Sequence, residues 1–316
     1  MKPVVSIQEN NQALIQFESI SLEEFNSWVE DKTDELNGLL YKHGSILFRG
    51  LPISGVVDFE YAISLLSGEL KSYVDGNSPR TKLTGKTYTS TEYDQDHHIT
   101  LHNELSYSSS WPEKLFFCCI EPAEIGGETP LADCRKVLQE MDKSFVDEVE
   151  AKGLVYIRNL HSGNGNGPSW HETYETNNKT DVENYLNESN TEFQWNKDDS
   201  LRIVQRRSGL EVHPKTNEKV WFNQIDQFHP VHLSSEIYET LLMLNGGNEE
   251  ELPMYVTYGD GSKISPERVK QIESTVHKVS VSNKWEKGDL LMIDNVLVSH
   301  GRNPFKGKRK IIVSMS

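Results

Sequence analysis

A chain of 316 residues with 36% hydrophobic and 9% aromatic residues can bury a sizeable core, which excludes disorder as the default state. Its formal net charge of −16 argues against nucleic acid or an anionic membrane as partner, because phosphates require a basic face. No apolar run nears the roughly 20 residues of a membrane helix, no signal-peptide core is read at the N-terminus, and Cys118, Cys119 and Cys134 show neither zinc nor disulfide spacing. A reducing, cytoplasmic setting fits that cysteine usage.

The first 20 residues alternate like a short strand or arm. Ser21-Leu22-Glu23-Glu24 is a capping box, and Leu22, Phe25, Trp28, Val29, Leu36, Leu39 and Leu40 recur at helical spacing, predicting an amphipathic helix that Gly44 ends. A strand over 45–50 and a helix over 57–70 follow. Residues 71–100 turn polar, with Gly76, Pro79 and Gly85 as breakers; such a stretch reads as a lid or recognition loop, or else as a plain surface excursion. A strand is expected over 114–120 and a helix over 135–152. Residues 160–200, rich in Asn, Gly, Ser, Thr and acids, read as an insertion holding one short helix at 181–187. Strands are expected over 201–205, 210–213 and 219–223, helices over 234–244 and 265–277, and strands over 279–285, 290–294 and 309–315. With no repeat and no linker, 1–316 reads as one α+β domain, a distorted double-stranded β-helix (jelly-roll, cupin-like) core buttressed by helices.

The chemistry centres on Leu101-His102-Asn103-Glu104-Leu105-Ser106-Tyr107. On an extended segment, side chains two apart point the same way, so His102 and Glu104 supply two thirds of a 2-His-1-carboxylate site for non-haem Fe(II). Alone, His-x-Glu is weak and equally describes a surface pair. Among the distant histidines, His300 stands out because it ends the apolar run 290–299 and precedes Gly301-Arg302, a short turn and the strand-like Arg309-Lys310-Ile311-Ile312-Val313. A cation opening the strand after a metal ligand suits a chelating dicarboxylate, which arginine can pair through two parallel hydrogen bonds. The threonine of Gly126-Gly127-Glu128-Thr129-Pro130 offers that carboxylate a hydroxyl.

With these motifs the sequence resembles the Fe(II)/2-oxoglutarate dioxygenases of the TauD/TfdA type, in the branch of SyrP-like and clavaminate-synthase-like proteins, from about residue 42 to the C-terminus. The resemblance implies His102, Glu104 and His300 as iron ligands and Thr129 and Arg309 as the 2-oxoglutarate site, with Arg302 bracing the cosubstrate or its loop. It also implies oxidative decarboxylation of 2-oxoglutarate by O2, coupled to hydroxylation of an unactivated C–H bond. Many relatives carry Asp where this chain has Glu104; a carboxylate kept there speaks against a halogenase.

The substrate implied is an amino acid or a derivative, free or carrier-tethered, of a specialised-metabolite pathway. Arg80, Tyr88, Ser90, Glu92 and Asn103 are candidate headgroup contacts, and Phe222 and Asn223 candidate pocket walls; for each, a surface or core role is the bland alternative. His97 and His98 read as surface residues, and His213 and His229, each before proline, as turn residues. Two other classes stay open, a zinc hydrolase on the same barrel and a non-catalytic cupin-like binding protein.

Overall fold

The structure, a computed structural model, describes residues 3–8 and 11–316. Ser21 accepts from the Glu24 amide while Glu24 reaches back to the Ser21 amide, so the expected capping box starts the Leu22–His43 helix, and Gly44 closes it in the left-handed region at φ 72°. The apolar stripe of this helix, with Phe25, Val29, Leu36 and Leu40, packs with the Val56–Ile63 helix on one face of an eight-stranded sheet. In order across that sheet lie Val4–Ile7, Ala13–Gln16, Ser45–Arg49, Leu290–Asp294, Lys114–Glu121, Lys310–Met315, Thr87–Thr89 and Lys82–Thr84.

Period-two alternation sorts the strand residues between two cores. Phe116, Cys118, Leu290, Met292 and Ile312 face the helices. Their neighbours Phe117, Cys119, Leu291, Ile293, Ile311 and Val313 face inward, onto Leu131 and Val298 of a three-stranded sheet ordered Ile99–His102, Val298–Arg302, Leu131–Asp133. Adjacent Cys118 and Cys119 therefore belong to opposite cores, and all three cysteines are free and buried. Two facing sheets buttressed by helices agree with the expected jelly-roll core.

Several expectations need correction. The helix sought over 57–70 stops at Ile63, and the one over 135–152 breaks into Cys134–Glu140 and Lys143–Lys152, because Asp142 caps the second by accepting from Phe145. Residues 279–285 form no strand: the Pro266–Val279 helix takes up their start, and only Val281 bridges to Leu131. The polar stretch 71–100 is not all loop, since Lys82–Thr84 and Thr87–Thr89 add a hairpin to the edge of the large sheet. Residues 160–200 are better ordered than their composition implied, with helices Trp170–Thr173 and Lys179–Glu188 and strand Glu192–Trp195. That strand joins Leu201–Arg207, Leu154–Leu160 and Met254–Tyr258 in a separate four-stranded outer sheet.

A buried polar cluster fastens the start of the 71–100 stretch to this outer sheet. Asp75 pairs with Arg158, both side chains having no exposure. Tyr174, Tyr185 and Gln205 also donate to the Asp75 carboxylate, and Tyr107 donates to its carbonyl. Among the described residues no helix is long and apolar enough to cross a membrane.

Removing one partner of a buried pair strands the other charge, at a cost of about 3–5 kcal/mol. Asp75→Ala should therefore lower the urea unfolding free energy by about that much, whereas Asp198→Ala on the exposed 196–200 turn should change it by less than about 0.5 kcal/mol.

Candidate active site

The strands Ile99–His102 and Val298–Arg302 run antiparallel with His102 directly opposite His300. Their imidazole centroids lie 4.5 Å apart. Pairing slips between His300 and Arg302, a bulge that brings Gly301 so close that a Cβ there would meet the Ile99 carbonyl at 2.4 Å. Glu104 falls two residues beyond the strand, in a turn where Leu105 takes φ 58°, so the extended segment inferred around His-x-Glu ends at the histidine. One ligand atom from each of His102, Glu104 and His300 lies within 4.8 Å of the others, and all three residues are buried.

The donor set fits a metal ion. Burial lowers the pKa of His102 below the ordinary imidazole value and that of His300 well below it, with His102 and Arg80 adding repulsion at His300. Both rings are therefore neutral ligands at neutral pH. His102 Nδ1 lies 2.9 Å from the Thr100 carbonyl, an arrangement that places the proton on Nδ1 and leaves Nε2 its lone pair. The turn carrying Glu104 is held by a residue that sequence patterning passed over, Asn295. Its Oδ1 accepts from the Glu104 amide at 2.7 Å, and its Nδ2 donates to the Glu104 and Pro112 carbonyls, each at 2.9 Å. Only a long-range contact marks its role, so no local signal in the sequence could have found it.

Beside His102 and His300 lies a small cavity lined also by Arg80, Ser90, Thr91, Ile99, Phe117, Thr129, Gly301, Arg302 and Arg309. Arg309 turns inward. Its Nε donates to the Gly127 carbonyl at 2.9 Å and one terminal nitrogen to Ser90 Oγ at 3.2 Å, while Lys310, the next cation, is exposed. Burial, then repulsion from Arg302, lowers the Arg309 pKa to about 10, which leaves it charged at neutral pH. Thr129 shares the cavity wall with it.

The other candidates separate. Arg302 donates from its terminal nitrogens to the carbonyls of Thr91, Tyr93, Asp94 and His97, which braces that loop, while its buried Nε has no hydrogen-bond partner and the residue lines the cavity. Asn103 turns away to the Asn295 carbonyl and Cys134. Asn223 is spent on the Gly209 carbonyl and the Ile225 amide, and Phe222 packs edge-on to Trp111, so neither walls this cavity. His213 opens the expected turn, where its Nδ1 accepts from the Thr216 amide, and its other ring nitrogen lies 2.9 Å from Asp294 in the interior. Tyr88 and Glu92 line a second, outer pocket with Tyr73, Arg80, Gly167, Pro168, Glu172 and Glu175. The 160–200 region thus supplies one wall of that pocket. Arg80 touches both spaces, and its terminal nitrogen lies 2.5 Å from Glu104 Oε2 with 2% of the side chain exposed.

A buried His-Glu-His cluster inside a two-sheet jelly roll, with an inward arginine on the strand after the second histidine, defines an Fe(II)- and 2-oxoglutarate-dependent oxygenase. The chain belongs to the taurine catabolism dioxygenase TauD, TfdA family, whose model matches residues 7–315. It is 36% identical over 280 residues to the dapdiamide synthesis protein DdaC of Enterobacter agglomerans, spanning 89% of this chain and 84% of that one. It is 29% identical over 327 residues to a clavaminate synthase-like protein of Arabidopsis thaliana, spanning 99% and 94%. Among solved structures, the PvcB protein of Pseudomonas aeruginosa superposes with TM-score 0.56 at 15% identity, covering 99% of this chain and 90% of that one. AAD-2 in complex with Mn(II) and N-oxalylglycine gives 0.53 at 14%, covering 100% and 97%. At such identities the fold is what is shared.

The depressed imidazoles predict the sign of a pH effect. A folded-state pKa below the unfolded value near 6.5 means that the unfolded chain takes up protons first. Stability of the metal-free protein should therefore be highest above about pH 6.5 and decline as the pH drops below it. Urea unfolding at several pH values checks this, and His300→Asn should flatten part of the decline.

Proposed function

We propose that His102, Glu104 and His300 hold Fe(II), that Arg309 and Thr129 receive the far carboxylate of 2-oxoglutarate, and that the whole chain acts as one cytoplasmic catalytic domain. Its reaction is hydroxylation of an unactivated C–H bond in an amino acid or amino-acid-derived substrate of a specialised-metabolite pathway. The observation carrying the reading is the convergence of three buried ligand atoms within 4.8 Å, two of them from histidines on the wall of a cavity that Arg309 and Thr129 also line. The amino-acid class is supported by similarity to a protein named for dapdiamide synthesis. An outer pocket with acids for an ammonium group and a guanidinium at its floor also supports it.

Bound together, iron and 2-oxoglutarate supply the oxidising power that divides O2 between succinate and the substrate. The chain's own residues prepare that chemistry. Two neutral imidazoles and one carboxylate leave coordination positions open. The Arg309 guanidinium fixes the cosubstrate by charge-assisted hydrogen bonds, and Ser90 and the Gly127 carbonyl hold that guanidinium in place. Burial of the ligands excludes water, which strengthens each of these interactions.

Alanine at His102, Glu104 or His300 should abolish most Mn(II) binding by calorimetry and most succinate release with Fe(II), O2 and 2-oxoglutarate. A His300→Ala variant with wild-type activity at saturating iron would remove the distal ligand assignment. Loss of the buried pairing at Arg309 costs on the order of 2–5 kcal/mol, so Arg309→Ala should raise the 2-oxoglutarate requirement roughly thirtyfold or more. Lys310→Ala should leave it unchanged; the reverse pattern would move the role to Lys310.

A further inference from the structure

Arg80 has more hydrogen-bonding capacity than its surroundings use. Its side chain is 2% exposed and stacks over Tyr73, with the guanidinium carbon 4.2 Å from the ring centroid. One terminal nitrogen holds Glu104 Oε2 at 2.5 Å, while Nε and the other terminal nitrogen are buried with no hydrogen-bond partner. Leaving two charged donors unpaired is costly, so the arrangement calls for an acceptor. The residue also lies on the boundary between the two spaces, lining both the metal-ligand cavity and the outer pocket.

The oxygen it holds matters. Glu104 Oε2 is also the carboxylate atom 3.8 Å from His300 Nε2, on the side where the ligand atoms converge. A guanidinium on that oxygen and a divalent cation held by the same three residues are competitors, because both are countercharges for one buried carboxylate.

We propose that Arg80 is an internal countercharge of Glu104 that a bound metal displaces, and that the released guanidinium becomes the anchor for a free carboxylate on the substrate. This deepens the reading of the site given above and rests on its metal assignment. Of the acids of the outer pocket, Glu175 is paired with Lys82 at 2.8 Å, and Glu92 and Glu172 are the two left to face the cationic end of a zwitterion whose carboxylate lies on Arg80. The substrate class is thereby narrowed from amino-acid derivatives in general to those with an unesterified carboxylate, not a carrier thioester at that position. Metal loading and substrate recognition become coupled, since the anchor is freed only once Glu104 has found another partner.

Calorimetric titration of the metal-free protein with Mn(II) tests the countercharge. Arg80→Gln should bind Mn(II) roughly tenfold tighter or more, and Arg80→Lys, which keeps the charge, should stay within about threefold of wild type. Unchanged or weaker binding by a folded Arg80→Gln overturns the proposal. Glu104→Gln separates it from the metal assignment: if that variant still binds Mn(II) like wild type, the assignment itself fails, whatever Arg80 does. Should Arg80→Gln not fold, phenylglyoxal modification of the wild type decides. Mass spectrometry should find Arg80 protected without metal and modified faster with Mn(II), and protection that persists on loading overturns release.

For the anchor, glycine and glycinamide serve as probes with Mn(II) and N-oxalylglycine bound. The glycine carboxylate carbon should show paramagnetic relaxation enhancement in wild type that falls to background in Arg80→Lys and Arg80→Gln, while glycinamide shows none. Equal enhancement in wild type and variants, or none in wild type, overturns the anchoring role.

Discussion

Everything at the centre of this protein depends on one strand register, the antiparallel pairing that sets His102 opposite His300. Because side chains alternate, a shift of one residue would send one imidazole into the cavity and the other into the core. Several features resist such a slip. The bulge after His300 is possible only because Gly301 has no Cβ to strike the Ile99 carbonyl. Val298 and Ser299 pair with Asp133 and Ala132 on the other side. Asn295, at the turn between the Leu290–Asp294 strand and the Val298–Arg302 strand that carries His300, holds both the amide and the carbonyl of Glu104. The carboxylate and the second histidine are thus located by the same 294–302 segment.

Around that register the charge distribution is unlike that of the molecule as a whole. A chain of net charge −16 encloses a cavity lined by three guanidiniums, Arg80, Arg302 and Arg309, the first of them paired with the buried Glu104 carboxylate. Acidity keeps the exterior solvated, while the local excess of positive charge favours small anions with two carboxylates, where low dielectric strengthens the attraction. The three arginines are not equivalent. The terminal nitrogens of Arg302 are occupied by backbone carbonyls, Arg309 is fixed but charged, and Arg80 leans on Glu104. Position on the pleat and the partner each finds decide these roles, although all three have the same chemistry.

The outer sheet has a second office beyond enlarging the core. The buried Asp75–Arg158 pair and the tyrosines converging on it immobilise the segment that leads into Tyr73 and Arg80. The 160–200 region then lays Gly167, Pro168 and Glu172 against the same pocket. A buried ion pair contributes little net stability compared with an apolar substitute. Its value here lies in fixing where a polar chain segment runs beside the site.

Local chemistry made much of this legible in the sequence alone. The Ser21–Glu24 capping box, the stripe from Phe25 to Leu40, the apolar runs at 114–120 and 290–294, and the His-x-Glu, Gly-Gly-x-Thr and His-Gly-Arg motifs each depend on short-range spacing. Short-range spacing survives folding unchanged, which is why the jelly-roll core and the family could be named from it. Polar composition misled in 71–100 and 160–200, because an edge hairpin needs only one apolar face and Asn-rich turns can connect well-formed helices. Tertiary structure alone decided that Arg80 reaches Glu104, that Asn103 serves the turn instead of the substrate, and that Arg302 braces a loop. Those contacts join residues 24, 192 and about 210 positions apart, and nothing in the spacing of side chains along the chain encodes a partner at that distance.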